Sequence, residues 1–220
     1  MRADSCFYRY NMRMDSDLSK LEQDEKRRVP RQDRGERRVA EVLEASAQVI
    51  GERGYDGATM TEIAERAGAS IGALYQYFPN KEAIARALRH QCAEDMKARW
   101  APLAEEGAAL EVGQLVRRIL GVLTDFMENR PEFLPLLNAP VKYERDPAAR
   151  IQLREMFAAL FRAKQPKLSA EEAFRIANVT LHVVKGLRPL YGEADARERE
   201  AVVLEFQVLL TSYLSVRLRG

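Results

Sequence analysis

From Asp33 onward, apolar positions recur three and four residues apart along most of the chain, and that spacing predicts helices rather than strands. Val39, Val42, Leu43, Ser46, Val49 and Ile50 share one side of a first helix. Gly54 is expected to close it, with Tyr55-Asp56-Gly57 as a turn. Over residues 58–82 the pattern shortens into closely set helix starts. Thr59 and Glu62 have the spacing of a capping box, which predicts a helix from Met60 with Ile63, Ala64 and Ala67 on its buried side. Gly68 is placed to end it, because glycine tolerates the left-handed backbone of a helix C-terminus. Ser70 can cap a second helix over residues 71–78, with Leu74 and Phe78 facing the core. Pro79 stops that helix, and Asn80 can cap a third from Lys81. Two short helices around a glycine-bearing turn form the helix-turn-helix pattern, whose second helix can enter the major groove of DNA.

The later pattern is also helical. Ile84, Leu88, Cys92, Met96 and Trp100 recur every four residues, predicting a long helix from Lys81 to about Trp100. Such a helix either transmits a shift between two domains as a rigid body or serves as a passive spacer. Pro102 and the stretch to Gly107 are expected to break it. A broad apolar helix follows over about 110–128, then a segment punctuated by Pro131, Pro135 and Pro140. Asp146-Pro147 opens a helix carrying Leu153, Met156 and Leu160, which ends before Pro166. Ser169 with Glu172, and Asp195 with Glu198, repeat the capping-box spacing and open two long final helices, to about Leu190 and Leu218. There is no internal repeat and no convincing strand. The expected fold is all-α, with a three-helix domain over 33–82 and a second helical domain over 83–220.

Composition narrows the class. With 220 residues, 46% of them hydrophobic and 31% charged, the chain matches a soluble globular protein. No stretch approaches the ~20 apolar residues of a membrane span, and the N-terminus lacks the apolar centre of a secretory signal. Cys6 and Cys92 make no disulfide framework, so a reducing cytoplasm is the expected location. Asn178-Val179-Thr180 matches a glycosylation sequon, which in a cytoplasmic helix is coincidence. Residues 1–32 are polar and aperiodic, as expected of a partly disordered arm, and Met12 and Met14 offer shorter starts.

Net charge is only +2, but Lys26, Arg27, Arg28, Arg31, Arg34, Arg37 and Arg38 cluster against Asp33 and Glu36 alone. A basic cluster just before a helix-turn-helix is the electrostatic footprint of phosphate contact, with Arg31 and Arg34 as candidates; the bland alternative is a solvated arm.

The run Ala67-Gly68-Ala69-Ser70-Ile71-Gly72-Ala73-Leu74-Tyr75-Gln76-Tyr77-Phe78-Pro79-Asn80-Lys81-Glu82 resembles the signature of the TetR family of bacterial transcriptional regulators. The likeness covers roughly residues 37–85 and includes the Leu74-Tyr75 pair, Phe78 and the Lys81-Glu82 pair. It implies a helical ligand-sensing and dimerisation domain after the DNA reader. It also implies a one-component regulator, most readily a repressor, that binds a pseudo-palindromic operator as a homodimer and is released by a small-molecule effector. Tyr75, Tyr77 and Lys81 match family positions that resemble phosphate clamps. The residues themselves add detail. The reading helix holds no Arg or Lys, so the bidentate guanine contact is absent from it. Gly72 allows close backbone approach, Ile71 and Ala73 suit thymine methyl groups, and Gln76 can bond an adenine edge. Thr61 can reach a base or phosphate, and Thr59 and Ser70 can present helix N-termini to phosphate.

In the second domain, Trp100, Phe126, Met127, Phe133, Tyr143, Phe157, Phe161 and His182 are candidates for an effector pocket, which would suit a hydrophobic or amphipathic ligand; each also reads as core. Val183, Leu187, Leu190, Phe206, Leu210 and Tyr213 are candidates for a seam between two subunits. His182 and Lys185 lie one turn apart and could meet a ligand carboxylate. No cofactor is expected, and His90, Cys92, Cys6 and His182 lack metal-ligand spacing. Nucleophile-elbow, HExxH and Walker motifs are absent, which argues against an enzyme. The rival reading is a helical protein-interaction module of the same fold without operator binding.

Overall fold

The structure is a computed structural model, and it describes residues 34–142 and 147–219. The chain before Arg34, Arg31 included, and residues 143–146 with Tyr143 and Asp146 lie outside that description. Among the described residues there are nine helices and no strand. They are α1 (34–57), α2 (Met60–Arg66), α3 (Ile71–Tyr77), α4 (Lys81–Glu106), α5 (Val112–Asn129), α6 (Phe133–Asn138), α7 (Pro147–Lys164), α8 (Ala170–Glu193) and α9 (Ala196–Arg217).

The helix starts follow local chemistry. The Thr59 hydroxyl accepts from the Glu62 N–H while the Glu62 carboxylate accepts from the Thr59 N–H, completing the capping box of α2. Ser70, Asn80 and Asp195 each accept from the N–H three residues on, opening α3, α4 and α9. Ser169 and Glu172 close a second reciprocal box at α8. Gly68 has φ +58°, and the Ala69 N–H reaches back to the Ala64 carbonyl, so this glycine makes the turn between α2 and α3.

Two ends differ from the pattern. Gly54 takes φ +73°, yet the helix runs on through it to 57, where the sequence predicts a turn. The Ala58 N–H bonds the Gly54 carbonyl across this last turn. Pro102 does not end α4, which continues to Glu106. A proline removes one ladder bond. Here Trp100 and Leu103, both buried on either side of it, hold the helix in the core.

The helices enclose two apolar cores. The first joins α1, α2, α3 and the start of α4 around Val42, Ile50, Ile63, Leu74, Ile84 and Leu88. The second lies among α4, α5, α7, α8 and α9 around Trp100, Ile119, Phe126, Phe157, Phe161 and Leu187. Helix α4 serves both: Ile84, Ala85 and Leu88 pack in the first, and Cys92, Trp100 and Leu103 in the second. Leu136, Ala139 and Val141, from α6 and the residues after it, also pack in the first core. The cores are therefore tied at two places.

A buried carboxyl sits at that tie. Glu132, only 2% exposed, adjoins α1, where a Cβ on Gly51 would come 3.4 Å from the Glu132 nitrogen and 3.1 Å from Pro131 Cγ. The nearest cation is Arg130, with Nε 3.5 Å from Oε1, beyond good hydrogen-bond range, and Arg130 also pairs with Asp95. Burial pushes the Glu132 carboxyl up, against the smaller pull of Arg130. A carboxyl raised in the folded state contributes stability below its unfolded pKa and loses it as pH rises through the folded value. Glu132→Gln is therefore expected to raise the melting temperature by a few degrees at about pH 7.5, with the gain vanishing near pH 4. Thermal unfolding across that range checks it; a pH-independent difference contradicts it.

Candidate functional site

Helix α3 buries one side and presents the other. Leu74 and Phe78 are buried against the first core. Ile71, Tyr75 and Tyr77 are 41%, 50% and 40% exposed, a large apolar and phenolic surface for a seven-residue helix. Ser70, Gly72 and Gln76 are exposed beside them, and Ala73 is half-buried. A Cβ at Gly72 would meet nothing within 4 Å, so the fold itself does not demand a glycine there. Thr59 and Thr61 are exposed at the start of α2, and Arg34 is exposed at the start of α1.

The helix pair is held from behind by arginines of α1 and α2. Arg38 Nη2 donates to the Gly68 carbonyl at 2.9 Å, and its Nη1 pairs with Glu41 at 2.7 Å. Arg38, read in sequence as part of the basic cluster, thus anchors the turn. Arg66 pairs both its Nη atoms with the Glu52 carboxylate, each at 2.8 Å, joining α2 to α1. That bond holds the Glu52 carboxyl below its usual range.

Lys81 has a partner set that its sequence position did not reveal. Its Nζ donates to the carbonyls of Tyr55 at 2.7 Å, Ala58 at 2.8 Å and Asp56 at 3.3 Å, and lies 4.5 Å from the centre of the Tyr55 ring. An ammonium has three N–H donors, and here three carbonyls at the end of α1 face them. Lys81 ties the start of α4 to the end of α1; a phosphate clamp would have to share or break these bonds.

In the second domain a cavity of about 670 Å³ opens among α4, α7 and α8. Met96, Trp100, Leu153, Met156 and Leu181 form its apolar wall. Lys97, Arg150, Arg154 and Lys185 lie around it, with Glu94 the one carboxylate among the described residues of the lining. Of the residues proposed for a pocket, Trp100 lines this cavity. Phe126, Met127, Phe133, Phe157 and Phe161 are instead packed into the second core, at 5% exposure or less. Trp100 and Phe157 meet edge to face at 5.4 Å, as do Phe126 and Phe133 at 4.9 Å. His182 is exposed on α8 with Nδ1 2.7 Å from the Asn178 carbonyl and is not part of the wall. The cationic residues of α7 had escaped the sequence reading; their signal is Arg150 and Arg154 flanking Leu153 at the margin of an apolar helix face.

The outward sides of α8 and α9 are apolar. Val179 and Leu190 on α8, and Leu204, Val208, Leu209 and Val216 on α9, range from 40% exposed at Val179 to 68% at Val216. Of the seam candidates, Leu190 is on this face. Leu187 and Leu210 are fully buried in the chain's own core, and Val183, Phe206 and Tyr213 are half-buried against it.

The comparisons with known proteins agree with this architecture. Residues 42–88 match "Bacterial regulatory proteins, tetR family", and residues 113–214 match "Tetracyclin repressor-like, C-terminal domain". The HTH-type transcriptional repressor AcnR of Corynebacterium jeikeium is 32% identical over 136 residues, spanning 58% of this chain and 69% of that protein. The chain belongs to the TetR family. The AcnR of Corynebacterium diphtheriae is 36% identical over 75 residues, so the match spans just 37% of that protein. A TetR transcription regulator from Haloarcula marismortui shares the fold with a TM-score of 0.60 at 14% identity, covering 84% of this chain and 100% of that one. As a TetR-family member the protein is a transcriptional regulator with a helix-turn-helix for DNA. Among the described residues no helix is long and apolar enough to cross a membrane, and no three acidic, His or Cys residues group as metal ligands.

Proposed function

We propose that this TetR-family regulator is a cytoplasmic repressor that binds a pseudo-palindromic operator as a homodimer and is released by a small-molecule effector. The observation that carries the reading is the outer face of α3, where Ile71, Tyr75 and Tyr77 stand exposed with Gln76 on a helix whose inner side is firmly packed. The resemblance of the chain to AcnR repressors supports repression over activation.

In this account Tyr75 and Tyr77 donate to phosphates and set register, while Ile71, Ala73 and Gln76 meet base edges. Thr59, Thr61 and Ser70 bring the N-terminal ends of α2 and α3 to the backbone, and Arg31 and Arg34 add charge. The outward faces of α8 and α9 pair with those of a second copy, giving two readers for two half-sites. The effector occupies the cavity beside α4. Helix α4 leads from there to its first turn, where Lys81 holds α1. An effector that favours one placement of α4 changes the spacing of the two readers, and release requires that it bind that state better than the DNA-bound one.

Two substitutions test the reader. Tyr77→Phe is expected to weaken binding several-fold on every operator variant, since a phosphate contact worth about 1 kcal/mol carries no sequence information. Gln76→Ala is expected to relax preference at one base position by about 1–3 kcal/mol. Titrations against an operator selected from a random-sequence pool, and its single-base variants, separate these patterns. Uniform loss with Gln76→Ala reduces it to a backbone contact; no loss with either variant removes α3 from the interface.

A further inference from the structure

Resting on the proposed effector site, we infer that the cavity among α4, α7 and α8 takes an amphipathic anion, with its acidic head at Arg150 and Arg154 and its apolar body along Trp100 and Met156. Among the described residues the charges of the lining are one-sided: Lys97, Arg150, Arg154 and Lys185 against Glu94. Among the described residues, neither Lys97, Arg150 nor Arg154 forms an ion pair with a carboxylate. A cluster of like charges beside an apolar wall repels itself and is relieved by an anion entering it.

Arg154 is already oriented. Its Nε donates to Asn178 Oδ1 at 2.8 Å and its Nη1 to the Arg150 carbonyl at 2.7 Å. A guanidinium has five N–H donors, so both Nη groups keep hydrogens for a bidentate contact with a carboxylate or phosphate. Arg150, one turn earlier on α7, is exposed at the rim. Beside them Met96, Trp100, Leu153, Met156 and Leu181 offer thioether, indole and aliphatic surface with no polar group beyond the indole N–H. The volume of about 670 Å³ lies within the range of small-molecule sites, about 300–1,000 Å³. A neutral apolar ligand would leave the arginines without an anion, and a simple inorganic anion would leave the wall wet.

Trp100 is the only tryptophan of the chain and lines the cavity, so its fluorescence reports binding without DNA. The probes are dodecanoate, dodecanol and dodecyltrimethylammonium, each below its micelle concentration, with the full-length protein. Dodecanoate is expected to saturate the signal at least tenfold more tightly than the alcohol, and the cation is expected not to bind. Arg150→Gln and Arg154→Gln are each expected to weaken dodecanoate about tenfold and leave dodecanol unchanged. Arg150 is exposed, so its variant keeps the test valid if loss of the Arg154 bonds disturbs folding. Equal affinity for acid and alcohol, absence of saturable dodecanoate binding, or unchanged binding in the Arg150→Gln protein overturns the inference. Adding dodecanoate to the protein–operator complex isolates the regulatory reading: binding without release refutes effector control while leaving the anion site standing. Release by dodecanol as readily as by dodecanoate refutes the anion preference and leaves effector control standing.

Discussion

Val208→Asp is expected to convert the protein to a monomer and to lower operator affinity by a factor of about 100 or more. Val208 is 62% exposed on the outward face of α9, among Leu204, Leu209 and Val216. An isolated chain has no use for that much apolar surface on one side of its last helix. In a symmetric pairing each copy would bring its own aspartate, so two charges lose solvent at one seam without partners. Affinity falls steeply because a monomer engages one half-site, and the second contact is no longer held at high effective concentration. The chain itself should stay folded, since Val208 takes no part in either core. Sedimentation, circular dichroism and operator titration on the same sample check all three expectations. A dimer of unchanged affinity places the seam elsewhere.

Arg89→Met is expected to have the largest effect on stability, about 3 kcal/mol, or a melting temperature lower by roughly 6–12 °C. Arg89 projects from α4 and donates through Nε to the Leu136 carbonyl at 2.8 Å, through Nη1 to Val141 at 2.6 Å and through Nη2 to Ala139 at 2.9 Å. A second bond from Nη2 also reaches Leu136. These carbonyls lie at the C-terminal end of α6 and in the residues after it, where no helical turn continues and the Val141 N–H reaches the Ala139 carbonyl alone. Methionine keeps much of the stem's volume and removes the donors, so the Leu136 and Val141 carbonyls lose these partners while Ala139 keeps the Val141 N–H. Arg89→Lys should recover only part of the loss, because one ammonium cannot reproduce a planar fork directed at three carbonyls. Thermal unfolding of both variants measures this. Equal stability of Arg89→Met and the parent protein would show that water satisfies these carbonyls. Since Leu136, Ala139 and Val141 pack in the first core, the same clasp links α4 to α6 at the junction of the two cores.

The legible parts of the fold were those governed by near neighbours. Thr59, Ser70, Asn80, Ser169 and Asp195 accept from an N–H three residues away, so their spacing in the chain already states their geometry. Gly68 was legible for the same reason: a turn between two short helices needs a left-handed residue. The continuation of α4 past Pro102 was not, because the local preference against proline was outweighed by burial of Trp100 and Leu103 against distant helices. The outer face of α3 followed from helical periodicity once Leu74 and Phe78 were assigned inward. Lys81 was legible in position but not in partners, which lie at the end of α1 and just beyond it, 23 to 26 residues upstream. The cavity was the least legible feature. Aromatic residues attract attention as pocket walls, yet the same apolar area drives Phe126, Phe157 and Phe161 into the core. The wall that remains open is built at the margins of three helices, where Arg150, Arg154 and Lys97 meet Trp100, and one-dimensional spacing does not show which margins converge.

Operator binding by the α2–α3 unit is tested most directly by a band shift of the full-length protein on the DNA upstream of its own gene, at two salt concentrations and with specific and non-specific competitor. A discrete complex that weakens with salt and yields to the specific competitor alone is the predicted result. No complex at low salt from a folded dimer, on that DNA or on a random-sequence pool, would contradict the account and favour a helical module that binds protein instead.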